Sequence, residues 1–251
     1  METNKRAFFI LQMLVASAVI IFMLEKKLLI SESRGATLSN YQNVNEVDKV
    51  ILLMEDFEGL SKPDSIALGD SLLKANGFFS FGSTQIELNH DKIDKNPMAS
   101  KTALKVNWLS TEGYGGWGKG VGANIELDTL TDHLTFRIYV PQSNGEEEKI
   151  KVILEEDDNE NGKLEKEADD TFFAHITVKP SDKWQIISIP LKDFKDENPG
   201  GDKILNVTRK GGLHNVIFVF EQPDRYTKDH HWYFDFICFT NDKMIDSNIL
   251  K

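Results

Sequence analysis

The chain has 251 residues, 40% of them hydrophobic, enough for one all-β domain of ordinary size, or two small ones, with a real core. Acidic residues outnumber basic ones by 40 to 29, a formal charge of -11, and that sign repels a phosphate backbone and argues against a nucleic-acid partner. The only cysteine, Cys238, permits no intramolecular disulfide; in the apolar run WYFDFICFT it reads as a buried, inert thiol.

The first element is apolar. After Lys5 and Arg6, the eighteen residues from Ala7 to Leu24 carry no charge, near the lower limit for a helix that crosses a membrane. Residues 1–30 therefore read as a signal anchor that holds the acidic domain outside the cytoplasm. A cleaved signal peptide competes through Ala16-Ser17-Ala18, which would make the protein secreted, yet the apolar run continues beyond that point. A pilin-like leader fits less well, because Gln12 stands where such leaders carry a glutamate. Residues 31–49 are small and polar and read as a tether, and residues 50–251 form the domain.

From Val50 onward, short runs of strand character follow one another: VILLMEDFE, TALKVNW, VGANIELD, HLTFRIYV, KIKVILEE, TFFAHITV, KWQIISI, LHNVIFVFE and WYFDFICFT. No amphipathic helix separates them, which predicts an antiparallel β-sandwich. In HLTFRIYV, Leu134, Phe136, Ile138 and Val140 share one face while Thr135, Arg137 and Tyr139 share the other. In TFFAHITV, Phe172, Ala174, Ile176 and Val178 oppose Phe173, His175 and Thr177. TEGYGGWGKG, ahead of VGANIELD, reads as a glycine-rich loop, and Trp184 reads as core.

Three pieces, in order, carry a family resemblance: MEDFEG at Met54 to Gly59, YGGWGKGVGANIELDTLTDHLTFRIYV in the centre, and DKWQIISIPLKDF at Asp182 to Phe194, followed by WYFDFICF. Together they resemble the jelly rolls of the galactose-binding-domain-like superfamily, family 11 carbohydrate-binding modules most of all, over Val50 to Thr240. The resemblance implies a two-sheet jelly roll with a structural Ca2+ and, in many members, a sugar cleft on the concave sheet. It also implies a calcium set of Glu58 and Asp235, with Asp56 as helper. Asp235 is the stronger clue, since a carboxylate in an apolar strand is costly unless paired or metal-bound; the alternative is that it simply faces solvent.

Sugar recognition calls for flat apolar faces that stack on pyranose rings and planar polar groups for hydroxyls. Arg137, Tyr139 and His175 meet that description on the polar faces of their strands, as in family 11 clefts. Tyr114 and Trp117 are candidates for a rim platform, Trp117 being equally suited to packing its own loop. The expected partner is an oligo- or polysaccharide. The competing reading is a structural or protein-binding cell-surface jelly roll in which Phe173 and Ile153 fill the cleft.

Two motifs in EEDDNENGKLEKEADD point elsewhere. Asp157, Asn159, Asn161 and Gly162 fit EF-hand positions one, three, five and six, but position twelve is Ala168 and the flanks are strands, so a solvated hairpin turn is the simpler account and calcium in the loop stays open. Glu155, Asp157 and Glu160 have a glycosidase-like spacing without the apolar pocket a general acid needs, so no enzyme is read here.

Overall fold

The computed structural model describes residues 49–58, 60, 73, 76–90, 101–109, 113–207, 212–221 and 229–243. The run from Ala7 to Leu24 and the tether to Asp48 lie outside them; among the described residues no helix is long and apolar enough to cross a membrane. Asp48–Lys251 make one unit, which holds all of the described strands.

Twelve strands are described: β1 (Val50–Glu55), β2 (Phe78–Gly82), β3 (Thr84–Asn89), β4 (Ala103–Leu109), β5 (Tyr114–Ala123), β6 (His133–Tyr139), β7 (Glu148–Glu156), β8 (Thr171–Val178), β9 (Trp184–Pro190), β10 (Lys195–Asp196), β11 (Leu213–Glu221) and β12 (Asp229–Thr240). They form two antiparallel sheets. The first runs β3-β4-β12-β6-β9 with β1 also paired to β12; the second runs β10-β8-β7-β11-β5-β2. Consecutive strands repeatedly cross from one sheet to the other, giving a jelly-roll sandwich with its core between the layers.

The alternation read from β6 and β8 is realised. Leu134, Phe136 and Ile138 are buried in the shared core, as are Phe172, Ala174 and Val178, with Ile176 packed against them. The hairpin of β2 and β3 was not legible as strands, because FFSFGSTQIELN breaks at Gly82 and lacks a clean period. Gly82, at φ +60, leaves no room for a Cβ against Gly115, so the sharp turn there depends on glycine.

The glycine-rich segment differs most from expectation. It is not a loop but β5, paired on one edge to β11 and on the other to β2. The regular pairing ends at Ala123, and the expected strand VGANIELD is largely extended chain, tied to the rest by Ile125 N–H donating to the Val207 carbonyl at 2.8 Å. Trp117 points inward and is fully buried. Its indole stacks on Phe218, with centroids 4.6 Å apart and planes at 17°, and meets the edge of Phe234 at 5.0 Å. Lys119, also inward, is neutralised by an ion pair with Glu55 and lies 4.6 Å over the Phe78 ring.

Strand β12 changes its facing part-way. Trp232 and Phe234 point inward, a bulge at Phe236 with φ +49 interrupts the register, and Ile237 and Phe239 then point inward. Cys238 is buried, and burial pushes its thiol far up, as an inert cysteine requires. Trp184 is buried too, yet its register with Tyr139 puts it on the outer side of the first sheet and not in the inter-sheet core.

Trp117→Ala is expected to lower the unfolding free energy by about 3–5 kcal/mol, whereas Tyr114→Ala, at an exposed site, should change it by no more than ~0.5 kcal/mol. Urea denaturation of the two variants checks the difference.

Candidate functional site

The outer face of the second sheet can be assembled row by row from strand register. One row, from β2 to β8, reads Phe81, Gly116, Val219, Lys151, His175. The next reads Phe79, Gly118, Ile217, Ile153, Phe173. Tyr114 stands one row beyond, opposite Glu221, and Asn215 and Glu155 occupy the row on the other side.

At the β2 edge, the glycines of β5 make the surface flat. A Cβ on Gly116 would come within 2.5 Å of the Phe81 ring, and one on Gly118 within 2.5 Å of the Phe79 ring. The two rings therefore lie down over bare backbone, half-buried, as a shelf. Tyr114, 55% exposed, continues the shelf with its centroid 6.3 Å from that of Phe81. On β8, three strands from β5 and about 14 Å away at the usual inter-strand spacing, Phe173 and His175 pack edge to face at 5.3 Å.

Polar groups interleave with these rings. Lys151 Nζ sits 4.7 Å above the Phe173 ring and bonds both Glu197 carboxylate oxygens, at 2.5 and 2.6 Å. His175 Nε2 is 3.9 Å from the Glu221 carboxylate. Asn215 donates to Glu155 at 2.6 Å, and burial raises the Glu155 carboxyl above the usual carboxylate range. A groove of about 420 Å³ lies between β8 of this sheet and β9 of the first, its walls including Phe173, His175, Ile187, Asp193 and Lys195.

The residues selected from sequence are divided between two faces. His175 and Tyr114 lie on this outer face, and Trp117 lies beneath it in the core, so its indole cannot stack on a ligand. Arg137 and Tyr139 belong to β6 and face away on the outer side of the first sheet. There Tyr139 packs between Trp184 and Tyr233, each at 5.8 Å, and Arg137 is buried opposite Asp235. The alternation of β6 identified the polar side of that strand but could not say to which sheet it belonged. Phe173 and Ile153 do share the face with His175, as the competing reading anticipated. Sequence reasoning missed Phe79, Phe81 and Lys151; the signal was the pairing of F-x-F in FFSFG with the alternate glycines of GGWGKG.

The three acids of the expected calcium set all accept hydrogen bonds from backbone N–H groups. Glu58 accepts from Lys101 and Thr102 N–H at 2.6 and 2.7 Å, Asp56 from Glu58 N–H at 3.1 Å, and Asp235 from Phe236 N–H at 2.7 Å. Glu58 reaches backbone distant in sequence while Asp56 and Asp235 fasten their own neighbours, Asp235 at the bulge of β12, and the three are not a group with ligand atoms within 4.8 Å of one another. Asp235 is buried and does not face solvent. Among the described residues the one group of three acids with ligand atoms within 4.8 Å of one another is Asp158, Asp170 and Asp202. In the loop with the EF-hand pattern, Asp157 accepts from Asn161 and Gly162 N–H. Glu155 and Asp157 do not form a catalytic pair: Glu155 lies on the outer face while Asp157 is buried in the turn.

No family model matches the chain, and no curated protein matches it. Among solved structures, a family 11 carbohydrate-binding module from Clostridium thermocellum, in complex with a β-1,3-1,4-mixed-linked tetrasaccharide, is 18% identical over 77% of this chain and 96% of its own, at a TM-score of 0.49. A family 30 carbohydrate-binding module is 17% identical over 79% and 92%, at 0.45. An exo-β-agarase is 13% identical over 79% of this chain but only 26% of its own, at 0.51, which is a likeness of fold.

Near the acid cluster, Glu156 is fully buried, and burial together with the charges of Asp158, Asp170 and Asp202 raises its carboxyl from 4.5 to about 8. The folded state thus keeps a proton that the unfolded chain releases, so this stability is complete below pH 4.5 and is lost as pH rises towards 8. In buffer free of divalent cations, Tm is expected to fall between pH 5 and pH 8, and Glu156→Gln to flatten that decline; calorimetry across pH reads both.

Proposed function

We propose that the outer face of the second sheet binds a neutral oligo- or polysaccharide, and that the protein is a non-catalytic glycan-binding module. The observation that carries this reading is the shelf of Phe79 and Phe81 on the glycines of β5, paired with Phe173 and His175 on the far side of the face. A pyranose presents flat C–H surfaces with equatorial hydroxyls around them. Rings lying over the sheet meet the former by dispersion, while Lys151, Asn215 and Glu155 on the strands between the shelves, and Glu197 at the border beyond β8, meet the latter. The resemblance of MEDFEG and its companion motifs to family 11 modules points the same way.

The charge of the face narrows the ligand. Glu155, Glu197 and Glu221 sit on it or at its border within a chain of formal charge -11, so an acidic glycan would be repelled. The surface is open, and binding of weak to moderate strength follows from the limited burial that an open sheet offers. In this reading the N-terminal apolar run holds the domain at a membrane, outside the cytoplasm, or releases it as a secreted protein if the leader is cleaved. A second reading, a protein partner on the same face, draws on its aliphatic middle of Ile153, Ile217 and Val219.

On a glycan array the protein is expected to capture neutral glycans. Phe81→Ala and His175→Ala should each weaken binding at least tenfold, while Tyr139→Ala, on the other face, leaves it unchanged. Loss in Tyr139→Ala with retention in Phe81→Ala would contradict the assignment of the face. Silence from folded protein would remove glycan recognition in favour of the protein partner.

A further inference from the structure

The acid cluster at the rim of the sandwich has no part in the proposed glycan face. It joins three segments: Asp158 in the β7–β8 connection, Asp170 immediately before β8, and Asp202 in the connection between β10 and β11. Several features go beyond mere proximity of acids. Asp170 is fully buried; its Oδ2 accepts Lys203 N–H at 2.6 Å, but its Oδ1 is buried and accepts no hydrogen bond. A buried carboxylate oxygen without a donor is costly unless a cation or a proton neutralises it.

The loop that covers this oxygen is built without side chains. Gly200 and Gly201 precede Asp202, Gly201 has φ +64, and a Cβ there would overlap Asp170 Oδ1 and come within 2.6 Å of Asp158 Oδ2. The backbone is therefore pressed against the two carboxylates, which any other residue would prevent. Asn206 follows on the same loop. Its amide nitrogen donates to both Asp202 oxygens, at 3.1 and 3.3 Å, while its amide oxygen is buried without a donor. Its backbone N–H also donates to both oxygens of Glu156, which adds a fourth carboxylate behind the group.

We infer that Asp158, Asp170 and Asp202 bind one hard divalent cation, calcium being the first to test, and that the ion clips the β7–β8 turn to the β10–β11 connection. The ligands are all oxygen, with no histidine or cysteine among them, which suits Ca2+ or Mg2+ and disfavours zinc. This site is separate from the Glu58, Asp56 and Asp235 set and does not depend on glycan binding.

The test is calorimetric titration of CaCl2 into the chelator-treated full chain, with Tm followed over the same calcium range and MgCl2 run in parallel. One equivalent of either ion should bind and raise Tm in a concentration-dependent way. Asp202→Asn, at an exposed position, should weaken binding at least tenfold, and Asp170→Asn should abolish it. Should Asp170→Asn fail to fold, Asp202→Asn alone still decides. Absence of binding heat and of any Tm response to both ions would overturn the inference and leave Asp158 and Asp170 as an acid pair sharing a proton. Calcium binding of unchanged strength in Asp202→Asn would also overturn it, by placing the ion elsewhere.

Discussion

The structure depends on one strand whose two faces have opposite requirements. β5 must bury an indole on its inner face, where Trp117 stacks on Phe218 between the sheets, and must leave its outer face almost bare. Alternating glycine with Trp117 and Lys119 meets both conditions. Glycine is a poor strand former in isolation, because it loses the most backbone freedom and packs nothing. Here the lost packing is restored from both sides: Phe79 and Phe81 of β2 fill the space over Gly118 and Gly116, and β11 supplies Phe218 beneath. The flat outer surface follows from the same arrangement that anchors the core.

Two ionisable side chains inside the sandwich, Lys119 and His230, are handled by pairing. Lys119 points inward because Glu55 meets it, and Glu55 also accepts Phe57 N–H at 2.9 Å, which steadies a residue held at φ +59. His230, buried and stacked on Trp232, reaches Glu148 at 2.8 Å. Both pairs bring opposite charges or donor and acceptor together, as burial demands. The rim cluster around Asp170 does the reverse, collecting acids on acids, and that contrast is why it invites a cation.

Fold class was legible where side chains alternate. β6 and β8 show a period of two with apolar residues on one face, so their existence and facing could be read directly. β5 was not legible, because glycine carries no hydrophobic signal and TEGYGGWGKG has the composition of a loop; pairing with β11 and β2 makes it a strand, and the β2 rings cover its bare face. The hairpin of β2 and β3 was hidden for a related reason, its turn lying at Gly82 inside a run rich in phenylalanine. For the site, His175 and Tyr114 could be read as outward-facing aromatics. Arg137 and Tyr139 have the same local pattern, and period alone cannot distinguish the outer faces of two different sheets. Glu58 and Asp235 were argued from resemblance and burial cost, whereas what they hold is backbone, a role set by the bulge of β12 and by the contact between Glu58 and Lys101 that no local pattern announces.

The central claim is that recognition takes place on the glycine-floored face of the second sheet. The most direct measurement is an amide NMR titration of the isotope-labelled protein with neutral oligosaccharides. The account predicts perturbations that cluster on Phe79, Phe81, Gly116, Gly118, Lys151 and His175, with β6 and the first half of β12 unmoved. Perturbations centred on Arg137, Tyr139 and Tyr233, or none with any neutral oligosaccharide at millimolar concentration, would contradict it.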